Sequence, residues 1–210
     1  MDFNFFLTQI SKLKELPLGG LTSQFKMAPE LRKTYSLKKI EEKKPKESAV
    51  LALFYPDKDF NTKILLMLRA SYNGVHSAQI SLPGGKKEKN DANLLFTALR
   101  ETEEEIGVLK NDVTIFRELT KTYIPPSNYW VTPFMGIVDT TPIFNTNNEV
   151  EKLIEIKLAD LLNDDFVTSK NLTTSYMKNI DVPCFKLNNY TVWGATAMML
   201  SEIKDLIKLA

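Results

Sequence analysis

The stretch that decides the fold runs Gly84-Gly85-Lys86-Lys87-Glu88-Lys89-Asn90-Asp91, followed closely by Thr97-Ala98-Leu99-Arg100-Glu101-Thr102-Glu103-Glu104-Glu105-Ile106-Gly107-Val108. Its second part predicts a helix from about Ala92 to Ile106, stopped at Gly107, a residue suited to the left-handed cap that ends many helices. At about 3.6 residues per turn, Glu101, Glu104 and Glu105 stand at i, i+3 and i+4 and project from one face. Leu95, Leu99, Thr102 and Ile106 lie mostly on another face and anchor the helix. Three close anions repel one another unless cations occupy the face. Hard divalent ions prefer oxygen ligands, and Mg²⁺ takes a few carboxylates plus water and substrate phosphates. The glycine pair lets backbone approach an ion or a phosphate, and Gly84 can offer a carbonyl ligand. Arg100, spaced i, i+4 from Glu104, can hold one carboxylate in orientation. Asp91, at the loop–helix junction, reads as the N-cap of the helix.

A run such as Glu101–Glu105 is by itself most simply a solvated helix face. The ordered combination of glycine pair, loop, apolar anchor, Arg-Glu, Glu-Glu and terminal glycine favours a metal site instead.

Outward from this unit, Ala49–Tyr55 and Lys63–Arg69 read as strands joined by the turn Pro56–Asp59. Residues 112–119, 129–138 and 150–156 follow as further strands, with the loop Tyr123–Asn128 between the first two. Residues 159–162 form a short helical turn and 182–187 a short strand. Trp193–Leu209 closes the chain as an amphipathic helix, and residues 164–180 are polar with poor periodicity. At the start, Phe3, Phe6, Leu7, Ile10, Leu13 and Leu16 fall at helical spacing over residues 2–16, and 38–47 (KKIEEKKPKE) reads as a solvated connector. No internal repeat is visible. Strands and helices alternating around one loop–helix unit imply a single α/β domain over 1–210, with 1–47 as N-terminal helix and connector and 48–210 as catalytic core.

The whole-chain properties narrow the class. The 210 residues are 43% hydrophobic and 25% charged, with a formal charge of +1, which offers no broad attraction to nucleic acid or anionic membrane. Cys184 is the one cysteine, so no internal disulfide forms, and it reads as a small core residue. His76 is the one histidine, which leaves no His pair for zinc. The absence of a long apolar run and of a signal-peptide pattern predicts a cytoplasmic protein. The oligomeric state is not legible.

Residues 85–108 closely resemble the signature of the Nudix hydrolase family: Gly, five residues, Glu, seven residues, then Arg-Glu-U-x-Glu-Glu-x-Gly-U, where U is bulky and apolar. Gly85, Arg100, Glu101, Glu104, Glu105, Gly107 and Val108 agree, and Thr102 stands at the first U. Asp91 replaces the first Glu, and one extra residue separates Gly85 from Arg100. Both departures resemble the coenzyme A pyrophosphatase branch. So do Leu66-Met67-Leu68-Arg69 and His76-Ser77-Ala78-Gln79-Ile80-Ser81-Leu82-Pro83-Gly84-Gly85, where Ala78 and Leu82 stand for Gly and Phe. Met27-Ala28-Pro29, the Tyr123–Pro133 loop and Trp193-Gly194-Ala195-Thr196 are further echoes.

The resemblance implies a Nudix α/β/α sandwich with a mixed central sheet and a loop–helix–loop metal site. It implies a pyrophosphohydrolase using Mg²⁺ or Mn²⁺ held by Glu101, Glu104, Glu105 and Gly84, with Arg100 in support. Coenzyme A and its acyl esters would yield 3′,5′-ADP and 4′-phosphopantetheine. ADP-ribose, a dinucleotide, or nucleotide binding without turnover are the alternatives. Arg69, His76, Gln79 and Lys87 are the candidate substrate-side residues. Arg69 suits a substrate phosphate or a structural ion pair equally. His76, Gln79 and Ser81 also read as loop-bracing residues. Tyr129 and Trp130 read as packing residues rather than an adenine stack, and Glu149 and Glu151 as ordinary solvated glutamates.

Overall fold

A computed structural model describes residues 1–30, 32, 36–71, 79–173 and 179–210. Helices α1 (Phe3–Glu15), α2 (Gly20–Gln24) and α3 (Leu37–Glu42) precede strands β1 (Lys46–Pro56), β2 (Thr62–Arg69), β3 (Ile80–Ser81) and β4 (Gly84–Lys86). Then come α4 (Leu94–Ile106), β5 (Thr114–Glu118), β6 (Thr122–Ile124), β7 (Tyr129–Ile137), β8 (Val150–Lys157) and α5 (Leu158–Leu162). Strands β9 (Val167–Leu172), β10 (Ile180–Leu187) and β11 (Tyr190–Trp193) lead into α6 (Gly194–Leu209).

Strand β1 organises the molecule. It reads as a nearly unbroken apolar run because both of its faces are covered. Successive side chains point to opposite faces. Val50, Ala52 and Phe54 therefore join one core with α1, α5, α6 and the second sheet. Ala49, Leu51, Leu53 and Tyr55 join the other, beneath Ala98 and Ile106 of α4. Phe6 of α1 seats against Phe54 (ring centroids 4.9 Å apart) and Phe116 (6.2 Å), so the N-terminal helix is part of the first core. The result is an α/β/α sandwich.

The central sheet is mixed. β1 and β7 are parallel, from Lys46 opposite Tyr129 to Phe54 opposite Ile137, while the other pairings are antiparallel. β1 pairs with β2 only at Phe54–Pro56, and with β4 at Ser48–Val50. β2 pairs with β3 at Met67 and Leu68. Strands β1 and β2 thus diverge, and the segment carrying β3 and β4 fills the gap between them. This wedge brings Gly84 and Gly85 against α4. Strands β9, β10 and β11 form a separate antiparallel sheet.

The expected helix start moves from Ala92 to Leu94, because Asn93 supplies the cap: its side-chain oxygen accepts from the Phe96 N–H at 2.8 Å. Gly107 caps the other end at φ 76°. The 38–47 connector is corrected. Leu37–Glu42 is helical, with Ser36 as N-cap and Ile40 buried, and β1 already begins at Lys46. The polar 164–180 stretch contains β9, an exposed strand whose side chains give no apolar alternation. Cys184 is buried as expected, and burial pushes its thiol pKa up. Among the described residues, no helix is long and apolar enough to cross a membrane.

Candidate active site

The site is built where β4 meets α4. Gly84 has φ 142°, a conformation that side chains disfavour, and a Cβ there would stand 2.3 Å from the Ala49 carbonyl oxygen. Its N–H donates to Glu105 Oε2 at 2.7 Å. At Gly85, a Cβ would lie 2.4 Å from the carboxylate carbon of Glu101. The first glycine therefore lets β4 press onto β1, and the second makes room for a carboxylate.

Glu101 and Glu105 both face this turn, whereas Glu104 stands at the exposed rim with its side chain 54% accessible. Glu105 is 1% exposed. Burial pushes its pKa up to about 7 against the opposing pull of the Gly84 N–H and Arg69, with Glu101 and Glu149 adding to the rise. Burial likewise raises Glu101, against Arg100, with Glu104 and Glu149 contributing repulsion. Four carboxylates thus interact here: Glu101, Glu104 and Glu105 of α4, and Glu149 just before β8. Glu104 also adds repulsion at Glu101, and the Glu149 side chain, 62% accessible, is as exposed as that of Glu104; the i, i+3, i+4 spacing names Glu104 and carries no signal for Glu149.

Two arginines hold these anions. Arg69, at the end of β2, contacts Glu105 Oε1 at 3.1 Å and Glu149 Oε2 at 3.0 Å, so it serves the ion-pair role. Arg100 contacts Glu104 at 3.0 Å, as its spacing implied, and Glu101 at 3.1 Å. Its main partner is Asp91, reached by Nε at 2.9 Å and Nη2 at 3.0 Å. Asp91 also accepts from the Glu88 N–H and the Thr97 hydroxyl, at 2.9 and 2.8 Å. These bonds, Arg100 foremost, hold its carboxyl well below the usual range. The expected N-cap role of Asp91 is therefore corrected: it is the anchor of Arg100.

Arg69, Gln79, Gly84 and Glu101 line one cavity of about 940 Å³, and Glu149 joins them there. Gln79 accepts from the Arg69 N–H through its carbonyl at 3.0 Å, which is loop bracing. Lys87 is not among the lining residues; its ammonium pairs with Glu47 at 3.0 Å. His76 lies outside the described residues. Tyr129 lines the cavity, while Trp130 packs on Tyr123 (centroids 5.4 Å apart) beneath the Lys121 ammonium. Glu149 is exposed, as its sequence reading expects, and it is also paired with Arg69, a contact that a single Glu before a strand does not signal. Only the pairing of β8 with β2, Val150 opposite Arg69, brings it in.

Among the described residues, no three His, Cys, Asp or Glu side chains form a ready-made metal cage. The donor set still fits a hard divalent ion. All donors are oxygens, burial and, to a lesser degree, their mutual repulsion raise two pKa values, and Gly85 leaves space that a Cβ would fill. Mg²⁺ in particular uses one or two carboxylates with substrate phosphates, rather than an all-protein cage.

The chain is similar to known proteins. The family described as NUDIX domain matches residues 45–174. The chain is 33% identical over 173 residues to Nudix hydrolase 22, chloroplastic, of Arabidopsis thaliana, covering 78% of this chain and 56% of that protein. It is 31% identical over 147 residues to the uncharacterized Nudix hydrolase NudL of Yersinia pestis (strain Pestoides F), covering 70% and 73%. The chain therefore matches little more than half the length of the plant relative. Among solved structures, the Nudix hydrolase RenU from M. smegmatis superposes with a TM-score of 0.55 at 14% identity, covering 79% of this chain and 87% of that one. The MutT protein from Methanosarcina mazei Go1 gives 0.51 at 14%, covering 79% and 96%. At that identity the likeness concerns the fold alone. With the matching domain, the β-wedge and the Arg100–Glu105 helix together, the chain belongs to the NUDIX domain family.

Proposed function

We propose that this protein is a Mg²⁺- or Mn²⁺-dependent pyrophosphohydrolase that cleaves the diphosphate bond of a nucleoside diphosphate derivative, with coenzyme A and its acyl esters as the leading substrates. The observation that carries the reading is the placement of Glu105 at the Gly84 N–H and of Glu101 at Gly85, with Arg69 linking Glu105 to Glu149, beside a large cavity lined by Glu101 and Glu149. Glu101 and Glu105 would hold the ion at the turn, with the exposed Glu104 and Glu149 as further carboxylates beside them. When bound, a divalent cation supplies positive charge to the diphosphate and makes a nearby water more acidic. Arg100 keeps Glu101 in place, and Arg69 does the same for Glu105 and Glu149. One of these carboxylates accepts the proton of the attacking water. Residues 1–47 and 48–210 act as one domain, because α1 belongs to the same core as β1.

The names of the relatives support hydrolysis, and the resemblance of Leu66–Arg69 and Gln79–Gly85 to the coenzyme A branch supports that substrate. The test is chromatography of products from coenzyme A, ADP-ribose and diadenosine polyphosphates with Mg²⁺ and with Mn²⁺. The expected result is 3′,5′-ADP and 4′-phosphopantetheine from coenzyme A. Faster turnover of ADP-ribose or a dinucleotide would overturn the substrate while leaving the diphosphate chemistry.

A further inference from the structure

The cavity is walled at one end by Gly84, Gly85 and Glu101, and elsewhere by Ile124–Ser127 and by Thr196 and Met199 of α6. Residues 124–127 are the end of β6 and the tip of the β6–β7 hairpin, which pairs Thr122 with Val131 and Ile124 with Tyr129. Across the sheet, Lys86, Ser48, Val131 and Thr122 lie side by side on β4, β1, β7 and β6. The root of the hairpin is therefore three strand spacings from β4, roughly 14 Å. The β7 ladder sets the register of the hairpin, and a set of buried polar side chains ties it to α6.

On α6, Thr196, Met199 and Glu202 fall at i, i+3 and i+6, on one face of the helix. The first two line the cavity, and Glu202, 0% exposed, comes next along that face. Glu202 Oε1 accepts from the Gly20 N–H of α2 at 3.0 Å and from the Thr120 hydroxyl at 2.6 Å. Its Oε2 accepts from Gln24 Nε2 at 3.0 Å. Gln24 is equally buried. It donates to the Thr120 carbonyl at 2.8 Å and accepts from the Thr122 hydroxyl at 3.0 Å. Two buried side chains thus join α2, α6 and the root of β6.

The directions of these bonds are not interchangeable. A carbonyl only accepts, so the Thr120 oxygen fixes which end of the Gln24 amide faces it and Glu202. A backbone N–H only donates, so Gly20 fixes the demand on the other oxygen of Glu202. Each oxygen therefore meets a group that can only donate, which a carboxylate answers and an amide does not. Glutamine at 202 would set one N–H against another and leave a buried donor unpaired. A buried network satisfied in this way rigidifies what it joins.

We propose that Glu202 and Gln24 are positioning residues: they hold the Ile124–Ser127 wall against α6 and so set substrate affinity, without touching substrate or the reacting atoms. The inference rests on the diphosphate-hydrolase reading above. A wall remote from the scissile bond contributes binding that is equal in ground and transition states, and losing such binding raises KM and leaves kcat.

The test measures kcat and KM with Mg²⁺, for coenzyme A or for ADP-ribose if that is turned over faster, and amide exchange at Tyr123, Ile124, Ser127 and Asn128. The full-length proteins are the wild type, Glu202→Gln, Thr122→Val and Thr122→Ser. Thr122→Val removes the hydroxyl that Gln24 accepts, and it decides the matter should Glu202→Gln fail to fold. Both of these variants are expected to raise KM about 10-fold, the scale of one buried group left unpaired, with kcat unchanged and those amides exchanging faster. Thr122→Ser keeps the hydroxyl and should keep the wild-type KM. Reduced melting with an unchanged KM, a fall in kcat in place of the rise in KM, unaccelerated exchange, or Thr122→Ser behaving as Thr122→Val overturns the proposal. In a wild type that hydrolyses no diphosphate the functional reading fails, and calorimetric affinity for ADP with Mg²⁺ takes the place of KM. An affinity absent, or equal in all the proteins, then overturns the positioning role as well.

Discussion

Arg100 grips Asp91 with two parallel hydrogen bonds, Nε to Oδ1 at 2.9 Å and Nη2 to Oδ2 at 3.0 Å. The same guanidinium reaches the Lys86 carbonyl at 3.1 Å, Glu101 at 3.1 Å and Glu104 at 3.0 Å. A fork held at its base in this way presents its remaining donors in fixed directions. Asp91 therefore sets the angle at which Arg100 meets the carboxylates of α4, and it ties the loop before the helix to the helix itself.

Asp91→Asn is expected to cost about 1.5–3 kcal/mol of stability, the range for a hydrogen bond to a charged group. An N-cap would have tolerated that substitution, since Asn caps as well as Asp. Asn93→Ala, at the true cap, should cost about 1 kcal/mol. Urea unfolding at pH 7 measures both. An Asp91→Asn cost below about 0.5 kcal/mol would remove the anchoring role, being within the range of ordinary surface substitutions.

Stability should depend on pH in two opposed ways. Asp91 has a folded pKa below its unfolded value, so its contribution is complete above about pH 4 and fades as pH falls through the lower folded value. Glu105, raised to about 7, binds its proton more tightly when folded. In metal-free protein its effect therefore runs the other way, lowering stability as pH rises from about 4.5 to 7. Glu105→Gln should flatten that decline and stabilise the metal-free protein at pH 7.5 by about 1–3 kcal/mol, the scale of a shift of one to two pH units. Denaturation in chelator across pH 5–8 checks the sign. A steeper decline in the variant would contradict it.

The two glycines should separate fold from site. Gly84→Ala drives a Cβ into the backbone of β1, 2.3 Å from the Ala49 oxygen, at a φ that side chains disfavour. It is expected to cost on the order of 2 kcal/mol or more. Gly85→Ala meets first the carboxylate of Glu101, a side-chain end that must shift away from its contact with Arg100. Its expected signature is near-normal melting with turnover reduced on the order of 10²-fold, as for loss of one electrostatic stabiliser. Equal losses of stability in both variants would contradict the division.

Much of this was legible in the sequence, for physical reasons. Helix α4 and its Gly107 stop follow from periodicity and one cap residue, and the β1 and β2 runs from apolar density. Exposed β9 has no buried face to mark it, and α3 hides one buried residue, Ile40, among charges. The site was only half legible. Glu101 and Glu105 are local to a helix, so spacing places them. Glu149 and Arg69 are 80 residues apart and meet only through the β2–β8 register, and Asp91 reaches Arg100 across a loop whose path spacing does not define.

The most direct test of the account is the turnover of coenzyme A by Glu101→Gln and Glu105→Gln beside the wild type, at saturating Mg²⁺, with folding verified by circular dichroism. The account predicts that each variant folds and loses on the order of 10²-fold or more in kcat, the size expected when one preorganised charge is removed. Wild-type rates in both variants would contradict the assignment of hydrolysis to this carboxylate face.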